Sequence, residues 1–299
     1  MQQKKRKTRA LALLLASLVF IGTASVSASA AHVSVSPPSV THTDVSRYEE
    51  IPIYLEGYES NALYGRLIRS TTYVPLRAAF AALMPSASLT YTKKSRTADI
   101  LGEGLSFSAS DGAHVVYANG RCLYTDMPVR ILSDGVMYLP VRILEKVLSL
   151  LVSWDGEVRS VTLSGDIVPI LDGASYYKED EVYWLSRIIS AESRGEPFIG
   201  QVAVGNVVMN RMRHKDFPNT IWGVIFDRRY GVVQFSPVSD GTVWDTPHKT
   251  SVIAAKVVLE GYTVSDDILF FYAPSMVSYT WIAQNRPYAF TIAGHRFYN

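Results

Sequence analysis

The sequence predicts an α+β protein with two dissimilar halves. Three observations favour this class: a duplicated segment in the middle of the chain, a run of helical periodicity that begins near residue 179, and irregular strand-like segments after it. The 299 residues, 48% hydrophobic and 19% charged, are enough for about two domains with buried cores. This composition excludes collagen-like, low-complexity and wholly disordered chains.

The N-terminus has the pattern of a signal peptide over residues 1–30. Five cations within residues 4–9 precede an apolar run from Leu11 to Ile21, and Ala28-Ser29-Ala30 offers a cleavage site. The apolar run is short for a permanent membrane anchor, although an uncleaved anchor is the alternative. Without those five cations, 24 basic residues remain against 27 acidic ones. We therefore expect an exported, slightly acidic protein that does not bind nucleic acid.

Residues 31–47 are rich in Ser, Thr, Val and Pro and are predicted to be a linker. Cys122 is the single cysteine, so the chain can form no intramolecular disulfide and no cysteine-based metal site.

Residues 48–165 contain an internal repeat, in which the segment Thr72–Arg77 returns as Met137–Arg142. Each copy is followed by a predicted amphipathic helix, with apolar faces made of Leu76, Ala79, Phe80 and Leu83 in the first and Val141, Leu144, Val147 and Leu148 in the second. Each copy then ends in two strand-like segments, at residues 89–91 and 96–100 in the first and at residues 152–154 and 159–163 in the second.

This pattern resembles the copper amine oxidase N-terminal-like domain, a stalk module of exported proteins of Gram-positive bacteria. Copper needs imidazole or thiolate ligands, and this region offers only His114 and Cys122, so we expect no copper chemistry here. The resemblance implies a smaller, repeated α+β stalk domain that binds the cell wall or spaces the rest of the protein from it.

The C-terminal half, residues 178–299, follows an irregular junction at residues 166–177. Its first predicted helix, Glu179–Glu192, carries an apolar stripe that includes Leu185 and Ile189, and Glu192 falls on the same stripe. Further helices are predicted up to about Arg211, from Thr220 to Phe226, and from Thr246 to near Gly261. Residues 231–237 and 269–272 and the last residues before Tyr298 are predicted to be strands or loops.

An acid on an apolar stripe suits general acid catalysis. Desolvation disfavours its carboxylate form, so Glu192 would keep its proton near neutral pH and could donate it to the leaving oxygen of a glycosidic bond. Ordinary glycoside hydrolysis uses a second carboxylate about 5 to 9.5 Å away. The sequence offers Glu196, Asp227, Asp240 and Asp245, and spacing marks none of them.

Several ordered motifs then resemble the SleB/CwlJ-type cell wall hydrolases. They comprise Ala191–Pro197, Gly200–Val204, Val208–Arg211, Gln234–Ser236 with Asp240, Gly241 and Trp244 behind it, Phe271–Pro274 with Ala273 in place of Asn, and Gly294–Tyr298. The resemblance implies a lysozyme/transglycosylase-like C-terminal domain that acts on peptidoglycan, commonly of the spore cortex. It also implies that Glu192 is catalytic, in a lytic transglycosylation between N-acetylmuramic acid and N-acetylglucosamine.

Eight further residues are predicted to bind substrate: Arg194, Glu196, Asn210, Gln234, Phe235, Ser236, Tyr272 and His295. Structural roles remain open for most of them, namely a helix-start charge for Glu196, a core turn for residues 234–236, a core ring for Tyr272, a helix link for Asn210 and a packed imidazole for His295. The basic residues Arg211, Arg213, His214 and Lys215 are predicted to form a solvated helix end.

We expect no cofactor and no metal, because His214, His248 and His295 do not follow a metal-binding spacing. The expected partner is the peptidoglycan glycan strand, with the protein acting as a monomer in the wall or the spore cortex. Three alternatives remain open: a muramidase that hydrolyses the same glycosidic bond, an N-acetylmuramoyl-L-alanine amidase, and a non-catalytic wall-binding protein.

Overall fold

The computed structural model describes residues 44–55, 63–229, 231–275 and 281–299, all of which belong to one compact unit. The predicted signal peptide and residues 31–43 of the predicted linker lie outside the described residues. The last linker residues, Val45–Arg47, form a short 3-10 helix that Asp44 caps. Within the ranges above, no helix is both long and apolar enough to cross a bilayer.

The first half contains twelve of the described strands and two helices. In chain order these are β1 (Glu49–Leu55), β2 (Leu63–Ile68), β3 (Thr71–Pro75), α1 (Leu76–Leu83), β4 (Ser88–Thr92), β5 (Thr97–Gly102), β6 (Leu105–Ser110), β7 (Val115–Ala118), β8 (Arg121–Tyr124), β9 (Arg130–Ile131), β10 (Met137–Pro140), α2 (Arg142–Leu148), β11 (Leu151–Asp155) and β12 (Ser160–Ser164).

These strands form two sheets. Seven strands pair in the order β11-β12-β1-β2-β3-β10-β9, in which β1 and β12 run parallel and the other pairs antiparallel. The other five form an antiparallel meander, β4-β5-β6-β7-β8. The main hydrophobic core lies among the sheets and the two helices, and a smaller apolar cluster of Ile68, Tyr73, Leu132 and Tyr138 lies apart from it.

The predicted repeat is present, and both amphipathic helices are confirmed. The apolar faces of α1 and α2 are buried, and the strand-like segments after them pair as the antiparallel hairpins β4–β5 and β11–β12. The two hairpins nevertheless belong to different sheets. The copies are therefore equivalent in local structure but not in their sheet partners.

The second half is mainly helical. Its elements are α3 (Gly173–Tyr176), α4 (Glu179–Ser193), α5 (Phe198–Arg213), α6 (Ile221–Ile225), α7 (Ser236–Asp240), a 3-10 helix at Thr242–Trp244, α8 (Lys249–Leu259), β13 (Phe270–Tyr272), α9 (Trp281–Asn285), β14 (Tyr288–Ile292) and β15 (His295–Tyr298). The three strands form an antiparallel sheet in the order β13-β15-β14. The mixed helix and strand content confirms the α+β class.

The predicted helices are present, with two differences at their ends. Helix α8 begins at Lys249 instead of Thr246, because residues 245–248 are extended before the helix. The second difference concerns residues 231–237, which are predicted to be a strand or loop but are helical at their end. The short helix α7 begins at Ser236, with Pro237 in its first turn, where the fixed φ of proline suits a helix. That part of the prediction is wrong.

Helices α4, α5 and α8 pack closely around Gly205. A Cβ at this position would lie 2.9 Å from Ile189 Cδ1 on α4 and 2.9 Å from Val258 Cγ2 on α8. Glycine therefore sets how near the three helices approach, and α4 is held firmly along its buried side.

The two halves are joined by more than the chain. Arg121 at the start of β8 forms a bidentate ion pair with Glu260 at the end of α8, with Nε to Oε1 at 2.8 Å and Nη2 to Oε2 at 2.5 Å. Tyr177 donates to the same carboxylate at 2.5 Å, and Tyr262 donates to Asp126 at 2.8 Å. The β7–β8 hairpin is thus fixed to α8.

The predicted linker at residues 166–177 is also attached to the structure. The Ile170 amide donates to the Val147 carbonyl at 2.9 Å, and Asn119 Nδ2 donates to the Ile170 carbonyl at 2.7 Å. The Gly173 amide donates to the Asn119 carbonyl at 2.7 Å. This junction is an ordered connection that both halves contact.

Candidate active site

Glu192 lies in the last turn of α4, at the edge of its buried face. The flanking residues Ile188, Ile189 and Ser193 are buried, and the Ser193 hydroxyl closes the helix by donating to the Ile189 carbonyl at 2.7 Å. Glu192 itself is half-buried. The apolar stripe thus carries the carboxyl group to the margin of the core, as the helical spacing predicts.

Burial raises the pKa of Glu192 from 4.5 to about 7. The negative charge of Asp240 contributes to this rise, and the positive charge of Arg211 opposes it. Near neutral pH the carboxyl group can therefore both hold and release its proton. This poises the group to act as an acid and, once the proton has left, as a base.

Arg211 is the buried cation that acts on Glu192. It is 4% exposed, and its guanidinium Cζ lies 5.1 Å from the rings of Phe217 and Phe235 and 5.3 Å from that of Phe270. Nε donates to the Leu269 carbonyl at 2.7 Å, whereas Nη1 has no hydrogen-bond partner among the described residues. Burial lowers its pKa to about 10. The prediction of a solvated helix end is wrong for this residue.

The structure distinguishes two of the candidate second carboxylates, Asp240 and Asp227. Asp240 is the one whose charge acts on Glu192, and its pKa is lowered by hydrogen bonds from the Thr242 hydroxyl at 2.6 Å and amide at 2.9 Å. Asp227 is paired with Arg229 at 2.8 Å. Asp240 therefore stays ionised beside Glu192 and helps to keep the Glu192 proton in place.

Glu196 ties the start of α5 to the turn between β14 and β15. Its Oε2 accepts a hydrogen bond from the Gly294 amide at 3.0 Å, and its Oε1 lies 3.4 Å from His295 Nδ1. A Cβ at residue 294 would lie 2.6 Å from Oε1, so the contact requires glycine. His295 is itself buried. These contacts favour the structural alternative for both Glu196 and His295.

Two predicted substrate-binding residues are core residues. Asn210 is 5% exposed and its Nδ2 donates to the Ser265 and Ile268 carbonyls, each at 3.0 Å. Phe235 is 2% exposed and packs against Arg211. The amide of Asn210 and the ring of Phe235 make their contacts inside the fold, so neither side chain is placed to contact a substrate. We therefore correct the prediction that these two residues bind substrate.

The remaining predicted site residues are accessible. Arg194 and Ser236 are exposed, and Gln234 and Tyr272 are half-buried. The Tyr272 ring stacks on Tyr298 with centroids 5.7 Å apart. Their roles stay predictions.

Two negative observations apply to the described ranges. There, no group of three or more His, Cys, Asp or Glu side chains is arranged to hold a metal ion. A cleft of about 700 Å³ lies in the first half, lined among others by Tyr124, Arg142 and Trp154, and contains none of the predicted site residues.

Comparison with known proteins matches two families to this chain. Residues 195–298 match the cell wall hydrolase family, and residues 64–163 match the copper amine oxidase N-terminal domain. The first match begins three residues after Glu192.

Curated relatives match over part of their length. The spore cortex-lytic enzyme of Bacillus cereus is 35% identical over 121 residues, which cover 40% of this chain and 45% of that protein. The spore cortex-lytic enzyme of Bacillus subtilis is 31% identical over 121 residues, covering 40% of this chain and 38% of that protein. This chain thus spans less than half the length of these relatives.

A solved structure also matches. The catalytic domain of the germination-specific lytic transglycosylase SleB from Bacillus anthracis is 33% identical, with a TM-score of 0.38, and the match covers 44% of this chain and all of that one. By sequence, residues 195–298 are similar to the cell wall hydrolase family and residues 64–163 to the copper amine oxidase N-terminal domain, and the C-terminal part is homologous to the matched part of the spore cortex-lytic enzymes.

Proposed function

We propose that this protein cleaves peptidoglycan glycan strands between N-acetylmuramic acid and N-acetylglucosamine, as a lytic transglycosylase with Glu192 as its catalytic residue. The observation that carries the proposal is the environment of Glu192: a half-buried carboxyl with a pKa of about 7, beside one ionised carboxylate and one buried arginine. The match to the cell wall hydrolase family supports the substrate class.

The reaction needs one carboxyl group used twice. Protonated Glu192 donates its proton to the glycosidic oxygen, and the bond from C1 of N-acetylmuramic acid to that oxygen breaks, which leaves an oxocarbenium-like centre at C1. The resulting carboxylate takes the proton of the C6 hydroxyl while O6 attacks C1. A 1,6-anhydro ring forms, Glu192 recovers its proton, and no water is consumed.

The charges around Glu192 support both steps. Burial and Asp240 favour the protonated group that the first step needs, and Arg211 stabilises the carboxylate that the first step produces. Because the acid form starts the reaction, activity should fall as the pH rises through about 7.

We also propose a cellular setting. The N-terminal cations and apolar run favour export, and the homology to spore cortex-lytic enzymes favours action on the spore cortex or the cell wall. The domain at residues 64–163 would associate with the wall as a stalk, and the protein would act as a monomer.

The test is product analysis with the full chain. Purified vegetative peptidoglycan and spore cortex are digested, and the released muropeptides are weighed by mass spectrometry. Anhydro-muramic ends, lighter by one water than reducing ends, are the expected product, and Glu192→Gln should release none. Glu157, exposed in a turn of the first half, provides the control, since Glu157→Gln should release the same products as the unmodified chain. Reducing muramic ends would show hydrolysis instead, and free stem peptides would show an amidase.

A further inference from the structure

A cluster of five aromatic rings, which we call the aromatic platform, lies on the surface of the second half. Its members are Tyr183, Trp184, Trp222, Phe226 and Trp244. Trp184 contacts Phe226 and Trp244 edge-on, with centroids 5.1 and 5.3 Å apart, and Trp222 stacks on Phe226 at 5.1 Å. These mutual contacts hold the rings as one surface.

The outer rings of the platform are open to solvent. Trp222 is 55% exposed and Trp244 is 58% exposed, while Trp184 and Phe226 are half-buried beneath them. Water contact on so much indole surface is unfavourable, and folding has not removed it. The backbone that carries Trp244 is fixed, because Arg187 donates to the Trp244 carbonyl at 3.2 Å. Exposed rings held in this way are available to stack against a ligand.

Two members of the platform, Tyr183 and Trp184, lie on the same helix as Glu192. Trp184 is eight residues before Glu192 on α4, a separation of about 12 Å along the axis and about 80° around it. Trp244 also follows by four residues Asp240, whose charge acts on Glu192. The platform is thus built partly on the helix that carries Glu192 and partly on the segment that follows Asp240.

The exposed area suits a sugar better than a protein. Trp side chains bury about 150–250 Å² each, so the exposed parts of Trp222 and Trp244 offer about 200 Å² together. A stable protein interface needs roughly 800 Å² per partner. A pyranose ring instead presents one face of C–H bonds that fits flat on an indole, while its hydroxyl groups stay in water. The area matches one or two such rings.

We propose that the aromatic platform is a second glycan-binding site, which holds the peptidoglycan strand by stacking sugar rings on Trp222 and Trp244 at a distance from the bond being cut. This inference deepens the proposed function and rests on it for the identity of the ligand. It assigns the platform to substrate retention rather than to chemistry. Loss of the rings should therefore weaken binding and raise KM on long strands while kcat changes little.

The test measures binding without cleavage. The double variant Trp222→Ala/Trp244→Ala is made in the full chain carrying Glu192→Gln, and binding to peptide-free glycan strands is measured by fluorescence and by co-sedimentation with purified peptidoglycan. We expect the dissociation constant to rise about tenfold, equal to about 1.4 kcal/mol. Trp281→Ala is the matched control, because Trp281 is 57% exposed in the second half and is not part of the aromatic platform, and it should bind as tightly as the parent chain.

A conservative pair keeps the result interpretable if the alanine pair is unstable. Trp222→Tyr/Trp244→Tyr retains aromatic faces and should recover most of the lost affinity. Equal binding by parent, alanine and tyrosine chains would overturn the proposal, as would a parent dimer in sedimentation velocity that the alanine pair abolishes. If the Glu192→Gln chain binds strands through the two tryptophans but the unmodified chain releases no product, the site stands and the proposed reaction fails.

Discussion

Replacing Glu192 by Gln should make the protein more stable at alkaline pH while it removes activity. The unmodified chain must hold a half-buried carboxylate there, next to the negative charge of Asp240. Glutamine has nearly the same shape and no charge, so it avoids this cost. Glu192, which we propose is needed for catalysis, would thus lower the stability of the folded protein at alkaline pH.

The size and sign of the effect follow from the pKa of Glu192. It stands at about 7 in the folded protein against an ordinary 4.5, a difference worth about 3–4 kcal/mol at about 1.4 kcal/mol per pKa unit. Between pH 4.5 and 7 the unfolded chain binds fewer protons at this group than the folded one, so stability falls as the pH rises through this window. The cost is absent below the window and complete above it.

Urea unfolding of both chains at pH 4 and pH 8.5 measures the difference. Glu192→Gln should match the unmodified chain at pH 4 and exceed it by about 3–4 kcal/mol at pH 8.5. Glu157→Gln, which changes an exposed carboxyl, should show no such pH-dependent gain. A gain for Glu192→Gln that is the same at both pH values would refute the reasoning, because a shape effect does not follow the titration.

Three further predictions concern residues around this acid and the packing that supports it. Asp240→Asn removes a charge that raises the pKa of Glu192, so the alkaline limb of the pH–activity profile should move to lower pH; an unchanged limb would contradict the assignment. Gly205→Val would place methyl groups against side chains of α4 and α8, where even a Cβ meets atoms at 2.9 Å, and should cost about 1–3 kcal/mol in urea unfolding. Glu260→Gln leaves buried Arg121 without its charge partner and should cost about 3–5 kcal/mol, whereas replacing both by methionine should cost less, and equal losses would argue against a buried pair.

The local structure could be predicted from the sequence, because helical periodicity is a local property. The apolar faces of α1, α2 and α4 are read from spacings of three and four residues, and each of these helices is present. The sheet partners could not be predicted in this way. The parallel pairing of β1 with β12 joins Ile53 to Val161, and nothing near either residue specifies a partner more than a hundred residues away.

The site could be predicted only in part. The same spacing places Glu192 at the edge of the core, where the structure has it. Asn210 and Phe235 lie in motifs of the family, but a motif does not distinguish a residue that binds substrate from one that supports the fold. The basic residues after Arg211 predict a solvated helix end, but Arg211 is buried. It also ends a largely apolar run, and this position in the sequence is the signal that indicates a buried cation.

The ion pair between the β7–β8 hairpin and the end of α8 has a mechanical consequence. Arg121 and Glu260 join the two halves at a point where α8 also packs on α4, the helix that carries Glu192. A force applied to the first half would therefore be transmitted through the Arg121–Glu260 ion pair to α8 and α4, because the connection between the halves is rigid. The distance between the first half and Glu192 would then be set by the rigid dimensions of the molecule.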